Sequence, residues 1–161
     1  MKKFFTIVLL GAFCMINAQA FKGKGDTKLD IGMNIQNGGT GILVSSDFGL
    51  GENISIGILA SYLLGGSQIQ NVSGDYRFDA KARFNANLGN VLNISPKFDV
   101  YPGLNLGLKN FGGHLGARYF FSDGFGVFSE FSVPFAKYDS EAVSKYNNGA
   151  TFNIGASFNL D

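Results

Sequence analysis

The chain has 161 residues, with 13 Lys plus Arg, 12 Asp plus Glu and one His, for a formal charge of +1. That length suits one domain of ordinary size and leaves no room for a separate catalytic or regulatory module. The near-even charge excludes a polybasic nucleic-acid binder, and a lone cysteine, Cys14, excludes a disulfide framework or a thiolate metal cage.

Residues 1–20 read as a secretory leader. Met1, Lys2 and Lys3 form a positive start, Phe4 to Ile16 is apolar except for Thr6, and Ala18-Gln19-Ala20 supplies the small residues a signal peptidase reads. The apolar run is shorter than the roughly 20 residues of a spanning helix. Cleavage after Ala20 is expected. Cys14 is preceded by Phe13 rather than by a small residue, which argues against lipidation. The remaining domain, 21–161, has no cysteine and a balance of 11 basic to 12 acidic side chains. An exported chain without disulfides is held by its core, its partners or a membrane.

After Ala20 the repeating signal is alternation of apolar and polar residues, the period of a strand with two unlike faces. Eight strands are predicted: 26–36, 40–49, 53–64, 76–88, 97–108, 112–121, 125–136 and 148–160. Strand 76–88 is the clearest. Phe78, Ala80, Ala82, Phe84, Ala86 and Leu88 share one face, and Arg77, Asp79, Lys81, Arg83, Asn85 and Asn87 the other. Strand 148–160 repeats the pattern. Leu59 and Leu63 blur the polar face of the third strand, and Leu43 and Phe128 break the alternation of the second and seventh. Long polar connections follow strands three and seven, and mostly short ones join strands at the opposite end. An even count puts both termini at the short-turn end.

Each strand has about the 9–11 residues that a tilted membrane-crossing strand needs. The predicted fold is therefore all-β, an eight-stranded antiparallel up-and-down transmembrane barrel. Alternation alone also permits a soluble barrel with its apolar face inward, a secreted ligand-binding protein. Three features favour lipid. Glycines (Gly32, Gly57, Gly103, Gly107, Gly116, Gly126 and Gly155) fall on the polar face, where a narrow interior has little volume. Aromatic residues gather near strand ends: Phe48, Phe98, Tyr119, Phe121, Phe125 and Phe158 toward the short turns, and Tyr62, Phe78, Phe111 and Phe135 toward the long loops. Finally, the chain is too polar for a helical membrane protein, yet it carries an export signal.

Phe21 to Asp26, Asp47 to Gly57, Lys81 to Asn90, Tyr101 to Gly116, Arg118 to Val127 and Phe152 to Leu160 resemble an uncharacterised family of small outer-membrane barrels of Bacteroidota. More distantly they are similar to the OmpA/OmpX-like barrel superfamily. The resemblance implies an outer-membrane location and the barrel fold, with no catalytic residue to carry over. Such barrels often end on an aromatic residue or leucine, whereas here Asp161 follows Leu160.

Parity assigns an interior polar network of Lys28, Asp30, Asp47, Arg77, Asp79, Lys81, Arg83, Asp99, Tyr101, Lys109, His114, Arg118 and Glu130. Asp79, Asp99 and Glu130 are the expected partners of Lys81 or Arg83. Ile31, Phe48, Tyr62, Phe78, Ala82, Phe84, Leu104, Phe125, Phe152, Ile154 and Phe158 are assigned to lipid. His114 is the only imidazole, and with Ser132 and Glu130 it makes the only candidate catalytic set. No motif calls for a cofactor or metal, although Asp75, Asp139 and Glu141 in the long loops could attract a divalent cation. The expected partners are outer-membrane lipid, the barrel-insertion machinery during assembly and an extracellular ligand of unknown kind. No nucleic acid is expected, and the protein is expected to be a monomer. Three functions stay open: a structural or adhesive role through the outer loops, a small gated channel, and an envelope-lipid hydrolase.

Overall fold

The computed structural model describes residues 19–66, 74–138 and 146–160. Most of the expected leader lies outside that range, as do Cys14, Asp139, Glu141 and the side chain of Asp75. Among the described residues no helix is long and apolar enough to cross a membrane.

Eight strands follow in order: β1 (Thr27–Gln36), β2 (Gly39–Gly49), β3 (Ile54–Gly65), β4 (Phe78–Ala86), β5 (Phe98–Gly107), β6 (Asn110–Phe120), β7 (Phe125–Lys137) and β8 (Thr151–Asn159). Each pairs antiparallel with the next, and β1 pairs with β8, so the sheet closes on itself. Closure leaves no unpaired edge. At the closing seam Leu29 lies opposite Phe158 and Gly32 opposite Gly155. The two glycines bring the backbones together so closely that a Cβ on either would strike the facing main chain.

The connections differ at the two ends. Asn37-Gly38 turns β1 into β2, with Gly38 at φ 89°, a left-handed conformation that suits glycine. Two single helical turns, α1 (Gly74–Arg77) and α2 (Gly89–Leu92), sit in the connections before and after β4. The expected fourth strand is therefore shortened at both ends. Tyr76 and Arg77 belong to α1, because the β3–β4 ladder ends at the Tyr62–Phe78 pair and nothing holds the chain extended beyond it.

Alternation within each strand sorts the side chains as expected. The outward face carries large apolar residues, such as Ile58 at 65% exposure, while Asp99 and Tyr101 inside are at 0%. Leu43, Leu59 and Phe128, which interrupt the polar pattern in sequence, also point inward and pack on one another. Interior glycines provide room for the bulkiest inward groups. A Cβ on Gly116 would lie 2.1 Å from the Tyr101 ring, and one on Gly103 would lie 2.4 Å from the His114 ring.

Candidate functional site

The centre of the barrel is a charge cluster built from five strands. Asp30 comes from β1, Asp47 from β2, Arg83 from β4, Arg118 from β6 and Glu130 from β7. The Arg118 guanidinium donates to Asp30 Oδ2 at 2.7 Å and to Asp47 Oδ2, and it stacks 4.1 Å from the Tyr101 ring centroid. Arg83 donates to Glu130 Oε2, and its Nε lies 3.4 Å from Asp47 Oδ1. All five charged side chains are buried. Such charges are costly to desolvate, and pairing offsets that cost. What the cluster adds is registry, because the two guanidiniums meet carboxylates on β1, β2 and β7 only when the sheet has closed in this register.

Two smaller pairs flank the cluster. Toward the short turns, Lys28 donates to Asp26 Oδ1 at 2.6 Å and to Asn159 Oδ1 across the closing seam. Its ammonium lies 5.1 Å from the Phe120 ring centroid. Toward the long loops, Lys81 Nζ lies 3.6 Å from Asp79 Oδ2. Asp99 differs from expectation. It meets neither Lys81 nor Arg83, and instead accepts from Asn87 Nδ2 and from the Gly89 amide, each at 2.8 Å. Arg77 differs as well, since α1 holds it half-buried at the rim rather than on the interior wall of β4. Lys109 stands at the same rim and donates to the Tyr76 carbonyl at 2.7 Å. Burial pushes its pKa down, Asp79 opposes that shift and Lys81 adds to it.

His114, Ser132 and Glu130 are brought together, but not in catalytic order. His114 and Ser132 face each other across the β6–β7 ladder. Ser132 Oγ donates to Glu130 Oε1 at 3.3 Å, while His114 Nε2 lies 2.8 Å from Asn85 Oδ1 and 3.3 Å from the Arg83 guanidinium. Asn85 Oδ1 can only accept, so that contact places a proton on Nε2. An imidazole acting as base on a serine needs a free lone pair aimed at the hydroxyl. Here Nε2 is committed to the wall network, and Nδ1, which then carries the lone pair, makes no hydrogen bond to the Ser132 hydroxyl, whose partner is Glu130.

Amides and hydroxyls extend the network to both mouths. Asn85 donates to Ser55 Oγ at 3.0 Å, and Ser55 donates to Asn87 Oδ1 at 2.9 Å, which leads to Asp99. In the other direction, Asn153 donates to Glu130 Oε1 and Asn34 donates to Asn153 Oδ1. At the long-loop mouth Asn147, with φ at 59°, works as a clasp. It exchanges hydrogen bonds with the Gln36 side chain at 2.8 and 2.9 Å, donates to the Arg77 carbonyl at 3.0 Å, and accepts from Asn110 on its own carbonyl at 2.9 Å. Beneath it, between Asp79, Asn105, Ser132 and Asn153, about 10 Å³ is open, room for about one water molecule. At the opposite mouth Phe120 and Phe21 are both buried.

Sequence reasoning missed part of this network. Asp26 opens the predicted first strand, 26–36, and shares the parity of Lys28, so the alternation already assigned it to the interior. The Asn147 clasp had no signal, because its partners Gln36, Arg77 and Asn110 come together only through closure.

All eleven residues assigned to the lipid side face outward. Aromatic contacts form two groups, at the two ends of the barrel. Tyr119, Phe121, Phe125 and Phe158 run in sequence with ring centroids 5.3, 6.2 and 5.6 Å apart at the short-turn end, and Phe111 meets Phe135 at 6.0 Å near the long loops. Between them, an outer-wall groove of about 590 Å³ opens where Ala60, Ala80 and Ala82 lie between Ile58 and Leu106.

The chain belongs to a family of unknown function, DUF6646, whose model matches residues 11–160. It is also similar to a solved structure described as "De novo design of transmembrane beta-barrels", with 11% identity and a TM-score of 0.58, covering 86% of this chain and 98% of that one. At that identity the likeness is one of fold. No curated protein matches the chain.

Proposed function

We propose that this DUF6646 member is a small outer-membrane barrel, exported by the leader at 1–20 and crossing the membrane with its eight strands. Its role is structural or surface-binding and works through the loops at the long-loop end. Lipid is its main partner. The family resemblance read from sequence points to an envelope of the Bacteroidota type.

The observation that carries the membrane reading is the distribution of charge. Along the described strands no outward side chain is charged until Lys137, the last residue of β7, while ten buried or half-buried charges lie within the barrel: Asp26, Lys28, Asp30, Asp47, Asp79, Lys81, Arg83, Asp99, Arg118 and Glu130. A wet surface has no reason to exclude charge so completely, whereas a hydrocarbon surface does. The surface-binding role is supported by elimination within the interior. The central ion cluster, the inward Leu43, Leu59 and Phe128, and the Asn147 clasp occupy the lumen along its length. Activity is then left to the loops.

Planar-bilayer recording tests the role against the channel reading. The purified full-length mature chain is expected to insert without raising steady conductance above that of the bare bilayer. Reproducible unitary currents would overturn the loop-surface role in favour of a channel.

A further inference from the structure

The connection between β4 and β5 behaves unlike the other short turns. Leu88 continues the outward face of β4, and Phe98 opens the outward face of β5. Between them α2 and its flank present Val91, Leu92 and Ile94 at 58, 48 and 65% exposure. The other connections at this end each expose one large apolar residue, Leu50 or Phe121, beside the polar or small Gly51-Glu52-Asn53 and Ser122-Asp123-Gly124, whereas this one exposes three.

These three side chains are held out by a pinned backbone. Asp99 Oδ1 caps the Gly89 amide at 2.8 Å, the Leu92 and Asn93 amides donate to the carbonyls of Leu88 and Gly89, and Asn93 at φ 51° ends the turn. The Phe98 amide donates to the Ser95 carbonyl, and the Lys97 carbonyl accepts from the Phe120 amide on β6. A loose loop could fold its aliphatic residues inward. This one is hydrogen-bonded on both sides and cannot do so without breaking its links to the barrel floor.

We propose that Val91, Leu92 and Ile94 form a foot that enters the lipid interface at the short-turn side of the membrane. The occupant is the acyl boundary of that leaflet. The foot is continuous, through Leu88 and Phe98, with the apolar outer wall already read as lipid-facing, and it carries no charged residue between Leu88 and Pro96. Amphipathic turns of this kind rest at the headgroup–acyl boundary when their apolar face is too large to leave in water. The inference rests on the membrane reading and adds one-sided anchoring, with the barrel seated deeper on its β4–β5 side.

The absence of tryptophan from the chain makes a clean test. Single-tryptophan variants Val91→Trp and Ile94→Trp are reconstituted in vesicles whose lipids are brominated about 5–10 Å below the headgroup boundary. Phe84→Trp, read in a parallel set of vesicles brominated mid-chain, serves as a belt control, and Asp123→Trp as a turn control at the same end. Both foot variants should show blue-shifted emission and lose most of it to the bromines, while Asp123→Trp keeps its emission. Foot variants that emit like Asp123→Trp while Phe84→Trp is quenched by mid-chain bromines overturn the foot and leave the membrane reading intact, and would direct attention to a soluble protein partner. An unquenched Phe84→Trp overturns both.

Discussion

Replacing Arg118 with methionine should lower the stability of the barrel by about 3–5 kcal/mol, the typical result of removing one partner from a buried ion pair. Arg118 donates to both Asp30 and Asp47 and stacks on Tyr101. Methionine fills part of the volume but leaves two carboxylates in a closed interior, of which only Asp47 keeps a cation, at the 3.4 Å contact with Arg83 Nε. Urea unfolding in detergent micelles, followed by loss of the β signal in circular dichroism, would measure the change. The double variant Arg118→Met with Asp30→Asn should recover a substantial part of the loss, because it removes one of the stranded charges. That recovery is a coupling which additive packing effects do not produce. A single-variant loss under about 1 kcal/mol would mean that the cluster is hydrated and open, contrary to its burial.

Ala82→Arg should impair folding into vesicles by about 2–4 kcal/mol, the cost of a cation near the midplane of a barrel's lipid face. Ala82 sits in the middle of β4, opposite Ile58 on β3 and Leu106 on β5, and points outward. Ala82→Leu adds bulk at the same site without charge, and it should fold nearly as well as the parent chain. The comparison separates lipid from water. On a soluble barrel an arginine at this exposed site would be harmless and leucine the worse substitution. The heat-modified gel shift of folded barrels gives the yields, and equal yields for the two variants would count against a lipid-facing wall.

The sequence made the faces legible because side-chain parity is local. From Phe78 to Ala86 each residue's face follows from its neighbours, and no long-range knowledge is needed. Parity also holds where chemistry misleads. Leu43, Leu59 and Phe128 look like errors in a polar interior, yet they face inward and pack together, because position decides the face and hydrophobicity does not. Strand ends were less legible. Alternation continues through Tyr76 and Arg77, but a ladder lasts only as long as its partner, and β3 stops pairing at Tyr62. The ion pairs were legible in part: Glu130 and Asp79 were expected partners and do meet Arg83 and Lys81, while Asp99 meets neither and Asp47 was not foreseen. Arg83 bypasses Asp79 on its own strand and Asp99 on the next, and reaches across the lumen to Glu130 on β7 and to Asp47 on β2. Those distances depend on how the sheet closes, which no stretch of sequence states. The same holds for His114, whose neighbours Ser132 and Asn85 come from two different strands.

The central claim is that a closed barrel with its charges inside stands in lipid. Nitroxide labels on cysteines introduced at Ile58, Leu104 and Ile154 test it most directly. These positions lie on β3, β5 and β8 and are 65, 46 and 45% exposed. Made from residue 21 onward, the chain has no cysteine of its own, so each label is unique. In vesicles all three should collide readily with oxygen dissolved in the bilayer and be shielded from a water-soluble nickel chelate. Labels that meet the chelate freely at all three sites would contradict the claim and return the protein to the class of soluble barrels.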